Sequence, residues 1–195
     1  MKRNNLCALV LGLTVMFLSM QAAGQSQDIT YRVLTAQTNS TLEEELNKAA
    51  TEGFRLEALI WEGQEILVSR STENSSPKYE YKLVQVGSSK LTGQVDCEKL
   101  EEKINETASS GYIFKDITRN MPGRVIIGKE GMGAMAAMER DRNGTETRYV
   151  YRLIGNMTDE KTMKKLLQEA ADNGFQYVGA YSYIAAVLQK PVTAK

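Results

Sequence analysis

Three stretches of this chain repeat one arrangement of apolar and polar positions. Counting back eleven, seven, four and three residues from Gly53 gives Leu42, Leu46, Ala49 and Ala50. The same count from Gly111 gives Leu100, Ile104, Thr107 and Ala108, and from Gly174 it gives Met163, Leu167, Ala170 and Ala171. That spacing is the apolar stripe of an amphipathic helix, with small residues near its end where a sheet can approach closely. Each glycine stands where a helix needs a residue tolerant of the left-handed conformation, and an aromatic residue follows: Phe54, Tyr112 and Phe175. The predicted starts carry Ser40 or Thr41, Asp96, and Thr158 as N-cap acceptors, with Glu43 to Glu45, Glu98, and Asp159-Glu160 near the positive end of the dipole.

Upstream of each helix a short alternating segment repeats a tyrosine, a cation and two aliphatics: Tyr31-Arg32-Val33-Leu34, Tyr81-Lys82-Leu83-Val84 and Tyr151-Arg152-Leu153-Ile154. These read as strands with the basic residue facing out or along the rim. Downstream of each glycine come two more apolar segments, the last ending in a cation. Leu56 to Trp61 turns at Glu62-Gly63-Gln64 into Ile66 to Arg70, Ile113 to Ile117 leads to Ala136 to Arg140, and Tyr177 to Tyr181 leads to Ala185 to Lys190. The predicted fold class is therefore α+β, three tandem β-α-β-β units with helices packed on small, mainly antiparallel sheets. The units span residues 28–71, 78–141 and 147–190, divided by the polar runs Ser71 to Pro77 and Asp141 to Glu146. The second carries a Gly- and Met-rich insertion near 120–135, and the third lacks an obvious turn between Tyr181 and Ala185. A lone unit covers one sheet face with its helix and leaves the other bare, so three in tandem are expected to cover one another by edge pairing or by face packing.

Tyr31-Arg32-Val33, Leu42 to Asn47, Gly53-Phe54-Arg55-Leu56 and the closing Arg70 resemble the small bacterial domain catalogued as domain of unknown function 4177. The likeness is closest in the first copy and extends through the others over nearly all of the chain after residue 28. It implies a fold and no reaction, because that family brings no established activity.

The N-terminus changes the picture of compartment. Lys2 and Arg3 precede an apolar run from Leu6 to Leu18, followed by Ala22, Ala23 and Gly24, the order of a secretory signal peptide over residues 1–24. The run is shorter than the roughly 18 to 20 residues that span a bilayer, so export to the periplasm or beyond is expected, with no stable membrane span after cleavage. Cys7 leaves with the signal, and Cys97 remains as a lone thiol. Of 24 basic and 24 acidic residues, loss of Lys2 and Arg3 leaves 22 against 24, a balance that gives no nucleic-acid groove.

Composition excludes much chemistry. With no histidine in the chain there is no Ser-His-Asp or Cys-His catalysis and no histidine-ligated zinc. Gly123 to Lys129 has the spacing of a phosphate loop, but Glu130 stands where Ser or Thr must bind magnesium. Gly131 to Ala136 mimics a dinucleotide fingerprint without a doubly wound context. Neither implies a cofactor, and none is expected.

Two accumulations remain as candidate sites. Met132, Met135 and Met138, with Met121 nearby, offer soft thioethers that suit Cu(I) if the segment is helical, against a reading as flexible packing. Tyr79, Tyr81, Tyr149 and Tyr151 project in pairs to one sheet face. If open, that face with Lys82 and Arg152 would hold a peptide or glycan; if covered by another copy, these are core and rim residues. Asn39, Asn74, Asn105, Asn143 and Asn156 begin glycosylation sequons, which matter only in a source that glycosylates. The function expected is an exported, non-catalytic binding or structural module acting through a sheet face, an exposed edge or the loop from Asn120 to Gly133. Its partner would be another envelope protein, a peptide or a glycan. The alternatives are Cu(I) binding through the methionines and a carboxylate-pair hydrolase.

Overall fold

The computed structural model describes residues 29–35, 39–60, 65–71, 79–87, 95–120, 133–144, 147–155, 159–181 and 185–192. Three β-α-β-β units follow one another. The first is β1 (Ile29–Thr35), α1 (Asn39–Thr51), β2 (Arg55–Ile60) and β3 (Glu65–Ser71). The second is β4 (Tyr79–Val86), α2 (Cys97–Ser109), β5 (Ile113–Asn120) and β6 (Gly133–Asp141), and the third is β7 (Tyr149–Gly155), α3 (Glu160–Asp172), β8 (Gln176–Tyr181) and β9 (Ala185–Pro191). Each unit is one antiparallel three-stranded sheet with its last strand in the centre, in the orders β1-β3-β2, β4-β6-β5 and β7-β9-β8.

The helix ends follow from the repeated glycines. Gly53, Gly111 and Gly174 have φ of 85°, 86° and 83°, left-handed values that cost a side-chain-bearing residue about 1–2 kcal/mol. With that reversal Gly174 donates to Ala171 O at 2.8 Å and Phe175 to Ala170 O at 3.0 Å, and Gly53 and Phe54 do the same to Ala50 and Ala49. At the other end, Asp96 caps α2 by accepting from Lys99 N at 3.0 Å. The cap of α3 is Asp159 rather than Thr158, accepting from Thr162 N at 2.8 Å, and bonds from the Thr162 hydroxyl first and its N–H second hold the carboxyl below the ordinary range.

The recurring cations also gain a reason. Arg32 and Arg70 lie 4.1 and 4.9 Å from the Phe54 ring centroid, and Lys82 and Arg140 lie 5.4 and 4.7 Å from that of Tyr112. Lys190 stands 5.9 Å from Phe175. The cations of the outer and central strands thus hold the aromatic that ends each helix, and their charges stay at the rim.

Each outer hairpin strand carries one bulge at the same place, between Leu56 and Ala58, Phe114 and Asp116, and Tyr177 and Gly179. The second hairpin closes across the insertion, and β6 begins at Gly133, three residues before the expected Ala136. The turn expected at Glu62 to Gln64, and the Gly123 to Lys129 stretch, lie outside the described residues. Among the described residues no helix is long and apolar enough to cross a membrane.

The units share cores, which is how they cover one another. One apolar cluster joins Leu42, Leu46, Phe54, Leu56, Ile66 and Val68 of the first unit to Tyr81, Met135 and Ala137 of the second. Another joins Leu100, Ile104, Phe114 and Met138 of the second to Tyr151, Leu153, Tyr181 and Val187 of the third. Strand β6 is consequently buried on both faces from Gly133 to Glu139, a demand that Ala134, Ala136 and Ala137 meet by being small.

Candidate functional site

The joints between units are built from one repeated set of polar groups. Tyr81, opposite Glu139 in the sheet, is 1% exposed and reaches into the first unit, where its Oη accepts from the bulge N–H of Leu56 at 3.0 Å. The same hydroxyl donates to Glu139 Oε2 at 2.7 Å. Burial, with the Glu139 charge beside it, pushes the Tyr81 hydroxyl far above its ordinary value, so it stays a donor at any ordinary pH. Glu139, itself 1% exposed, takes two bonds from Arg55 of the first unit, Nε at 3.1 Å and Nη2 at 2.8 Å, and Lys115 Nζ stands 3.6 Å away. The guanidinium also lies 4.5 Å from the centre of the Tyr79 ring.

Helix α1 pads the outer edge of β4. Asn47 Nδ2 donates to Tyr81 O at 3.0 Å while its Oδ1 accepts from Tyr81 N at 2.9 Å, so one side-chain amide replaces a neighbouring strand. Glu43 Oε2 accepts from Leu83 N at 2.7 Å. The second joint repeats this closely. Asn105 bonds Tyr151 O and N at 2.9 and 2.7 Å, Glu101 accepts from Leu153 N at 2.7 Å, and the Tyr151 hydroxyl accepts from Phe114 N at 2.8 Å. Here burial raises the Tyr151 hydroxyl to about 12. Gly179 allows the close approach, because a Cβ there would lie 3.0 Å from Phe114 Cε1, and Tyr181 Oη donates to Gly133 O at 3.0 Å.

The two ends of the row have no such neighbour among the described residues. Tyr31 holds the register position of Tyr81 and Tyr151, yet it is 62% exposed; Val33, the counterpart of Leu83 and Leu153, is 50% exposed, and Ile29 beside them 46%. This apolar face of the first sheet is the face that the second and third sheets bury against the unit before them. At the far end Tyr177, counterpart of Leu56 and Phe114, is 63% exposed. Ten and six residues before Gly174 stand Lys164 and Gln168, where the other helices carry Glu43 and Asn47 or Glu101 and Asn105.

The singled-out residues that the structure describes take up the following places. Tyr81 and Tyr151 lie buried in the joints, so the open reading of that tyrosine face does not describe them, and Tyr79 and Tyr149 lean on their rings at 6.4 Å. Lys82 turns to Tyr112. Met135 and Met138 are buried on opposite faces of β6, one in each core, because the segment is strand and not helix; Met132 and Met121 lie outside the described residues. The loop from Asn120 to Gly133 is described at its two ends. Burial raises the Cys97 thiol, which makes it a poorer nucleophile. The buried Glu139 and the partly buried carboxylates are engaged structurally: Glu43, Glu101 and Asp116 accept from backbone N–H groups, Glu139 from Arg55 and Tyr81, and Glu80 from Arg140. Glu80 borders a shallow polar depression with Arg140, Asp141, Arg142 and Gly144.

Sequence reasoning missed Glu43, Asn47, Glu101, Asn105 and Glu139. The first four were findable, since they recur at minus ten and minus six from the glycines and change together in the third copy. Glu139 was not, because its partner Arg55 is set by packing.

No curated protein and no solved structure matches the chain. A family model described as Domain of unknown function (DUF4177) matches residues 79–141. The match coincides with the second unit, where the closest likeness was expected in the first. The resemblance drawn from the repeated residues therefore rests on a family match as well, and it ties one complete β-α-β-β unit of this chain to that domain.

Proposed function

We propose that this protein is an exported, non-catalytic binding module that meets its partner with the open face of its first sheet. The observation that carries the reading is the exposure of Ile29, Tyr31 and Val33 on a face whose counterparts in the other two units are interfaces. Soluble domains leave scattered apolar side chains in water, but three neighbours on one strand face, at positions otherwise used for burial, mark a contact surface. Export is supported by Lys2-Arg3, the apolar run and the small residues before Gln25. The partner is then an envelope protein, since a flat strand face of aliphatics and one tyrosine suits protein surface better than a glycan.

The test is site-specific photocrosslinking in the native host. A photoreactive phenylalanine analogue replaces Tyr31, and separately Val33, with Lys161 on α3 as the exposed control. A discrete heavier adduct from the envelope fraction is expected at 31 and 33 and not at 161. If no adduct forms at either strand position, the reading fails.

A further inference from the structure

Resting on that reading, we infer that the open β1 face docks a fourth β-α-β-β unit carried by a different polypeptide, one whose helix presents Glu and, four residues on, Asn. The argument is continuity. Two successive joints use the same operation: a helix Glu accepts from the edge N–H of the aliphatic at Leu83 or Leu153, and a helix Asn bonds both backbone groups of the tyrosine at Tyr81 or Tyr151. The tyrosine hydroxyl then takes a bulge N–H. Tyr31 and Val33 repeat the receiving half of that joint at the same register, with their side chains exposed. An edge of this kind pairs by its backbone, so the occupant's helix must supply the acceptor and the amide.

Among the described residues a second copy of this chain offers no such helix. Helices α1 and α2 in any copy are engaged with their own β4 and β7, and α3 presents Lys164 where the carboxylate belongs. An ammonium has no lone pair to accept from an N–H, and Gln168 is one methylene longer than Asn and is bonded to Asp172. The tail is thereby blunted against the chain's own head, and specificity falls on a partner whose terminal helix keeps the pair.

The probe is this same chain, expressed from its own start, with Lys164→Glu and Gln168→Asn together. Both side chains are exposed, so folding, checked by circular dichroism, is preserved. Sedimentation velocity across a wide concentration range should show the unaltered protein as a monomer. The double variant should associate roughly tenfold or more tightly, in an open head-to-tail series rather than a closed dimer. Adding Val33→Lys, at an exposed position on another unit, should return it to monomer. The inference is overturned if the double variant stays as monomeric as the parent, or if its association survives Val33→Lys. A dimer of the unaltered protein that Val33→Lys dissolves also overturns it, by making a second copy the occupant, while leaving the binding-face reading intact.

Discussion

At the scale of single residues, the joints turn on buried hydroxyls and one buried carboxylate. Tyr151→Phe keeps the packing against Phe114, whose ring centroid is 6.1 Å away, but leaves the Phe114 N–H without its acceptor. An unsatisfied buried donor costs about 1–3 kcal/mol, which a shift in urea midpoint will show. The same hydroxyl sets an alkaline limit. Its value rises from 10.0 in the unfolded chain to about 12 when folded, so its contribution is complete below pH 10 and is lost as pH climbs from there through about 12. Tyr112, raised to about 12 by burial and by its bond to Glu80, titrates over the same window. Unfolding followed between pH 9 and 12.5 should therefore show a downward slope that Tyr151→Phe makes shallower (about one proton's worth). At the first joint, Arg55→Ala takes two charge-assisted bonds from the buried Glu139 carboxylate, leaving it the Tyr81 hydroxyl and Lys115, and should cost about 2–3 kcal/mol. Glu139→Gln keeps an acceptor for Tyr81 and frees a half-exposed guanidinium to water, so its loss should be the smaller one. Thermal midpoints of the two variants check that order. None of this pairing was legible in advance, because Arg55 and Glu139 are 84 residues apart and belong to different copies of the repeat.

At the scale of elements, the helices were legible because each stripe, cap and terminal glycine lies within one short window. The strand order was less so. Alternation predicts strands but does not say that the last one takes the centre, which depends on pairings between β1 and β3 as distant as Ile29 with Ser71. The early start of β6 was hidden for a related reason: Gly133 and Ala134 look like loop until both faces of the strand are known to be covered. The helix-to-edge contact yields its own expectation. Asn105→Ala removes an amide that satisfies two backbone groups of β7, and with Tyr151 buried the loss should be about 1–3 kcal/mol. The sequon at Asn105 gains meaning from this, since a glycan on that nitrogen would exclude β7 from α2 altogether. Expression in a glycosylating host should give a chain either unmodified at Asn105 or less resistant to proteolysis than one made without glycosylation.

At the scale of the whole molecule, the shared cores make the three units one cooperative body rather than beads on a string. The near-ultraviolet signal of the buried tyrosines Tyr81, Tyr151 and Tyr181 should be lost at the same denaturant midpoint as the far-ultraviolet signal of all three helices. A chain begun at Tyr79 loses the cover of β4 and should aggregate or unfold without a sharp transition, because Tyr81, Met135 and Ala137 meet water and Glu139 loses Arg55. Val33→Lys, by contrast, should move stability by no more than about 0.5 kcal/mol. The tandem repeat was readable from sequence, yet its order in space was not, since three similar units could stack in several sequences within or between chains. The buried carboxylate bears on that choice. Where Glu139 stands in the second unit, the first has Ser69 and the third Gln189; where Arg55 stands in the first, the second has Ile113 and the third Gln176. A second unit settling behind another second unit, as in two nascent chains exchanging parts, would drive its carboxylate against an isoleucine. The Arg55 to Glu139 contact is thus particular to one pairing of pieces, favouring a second unit behind a first over a second unit behind a second.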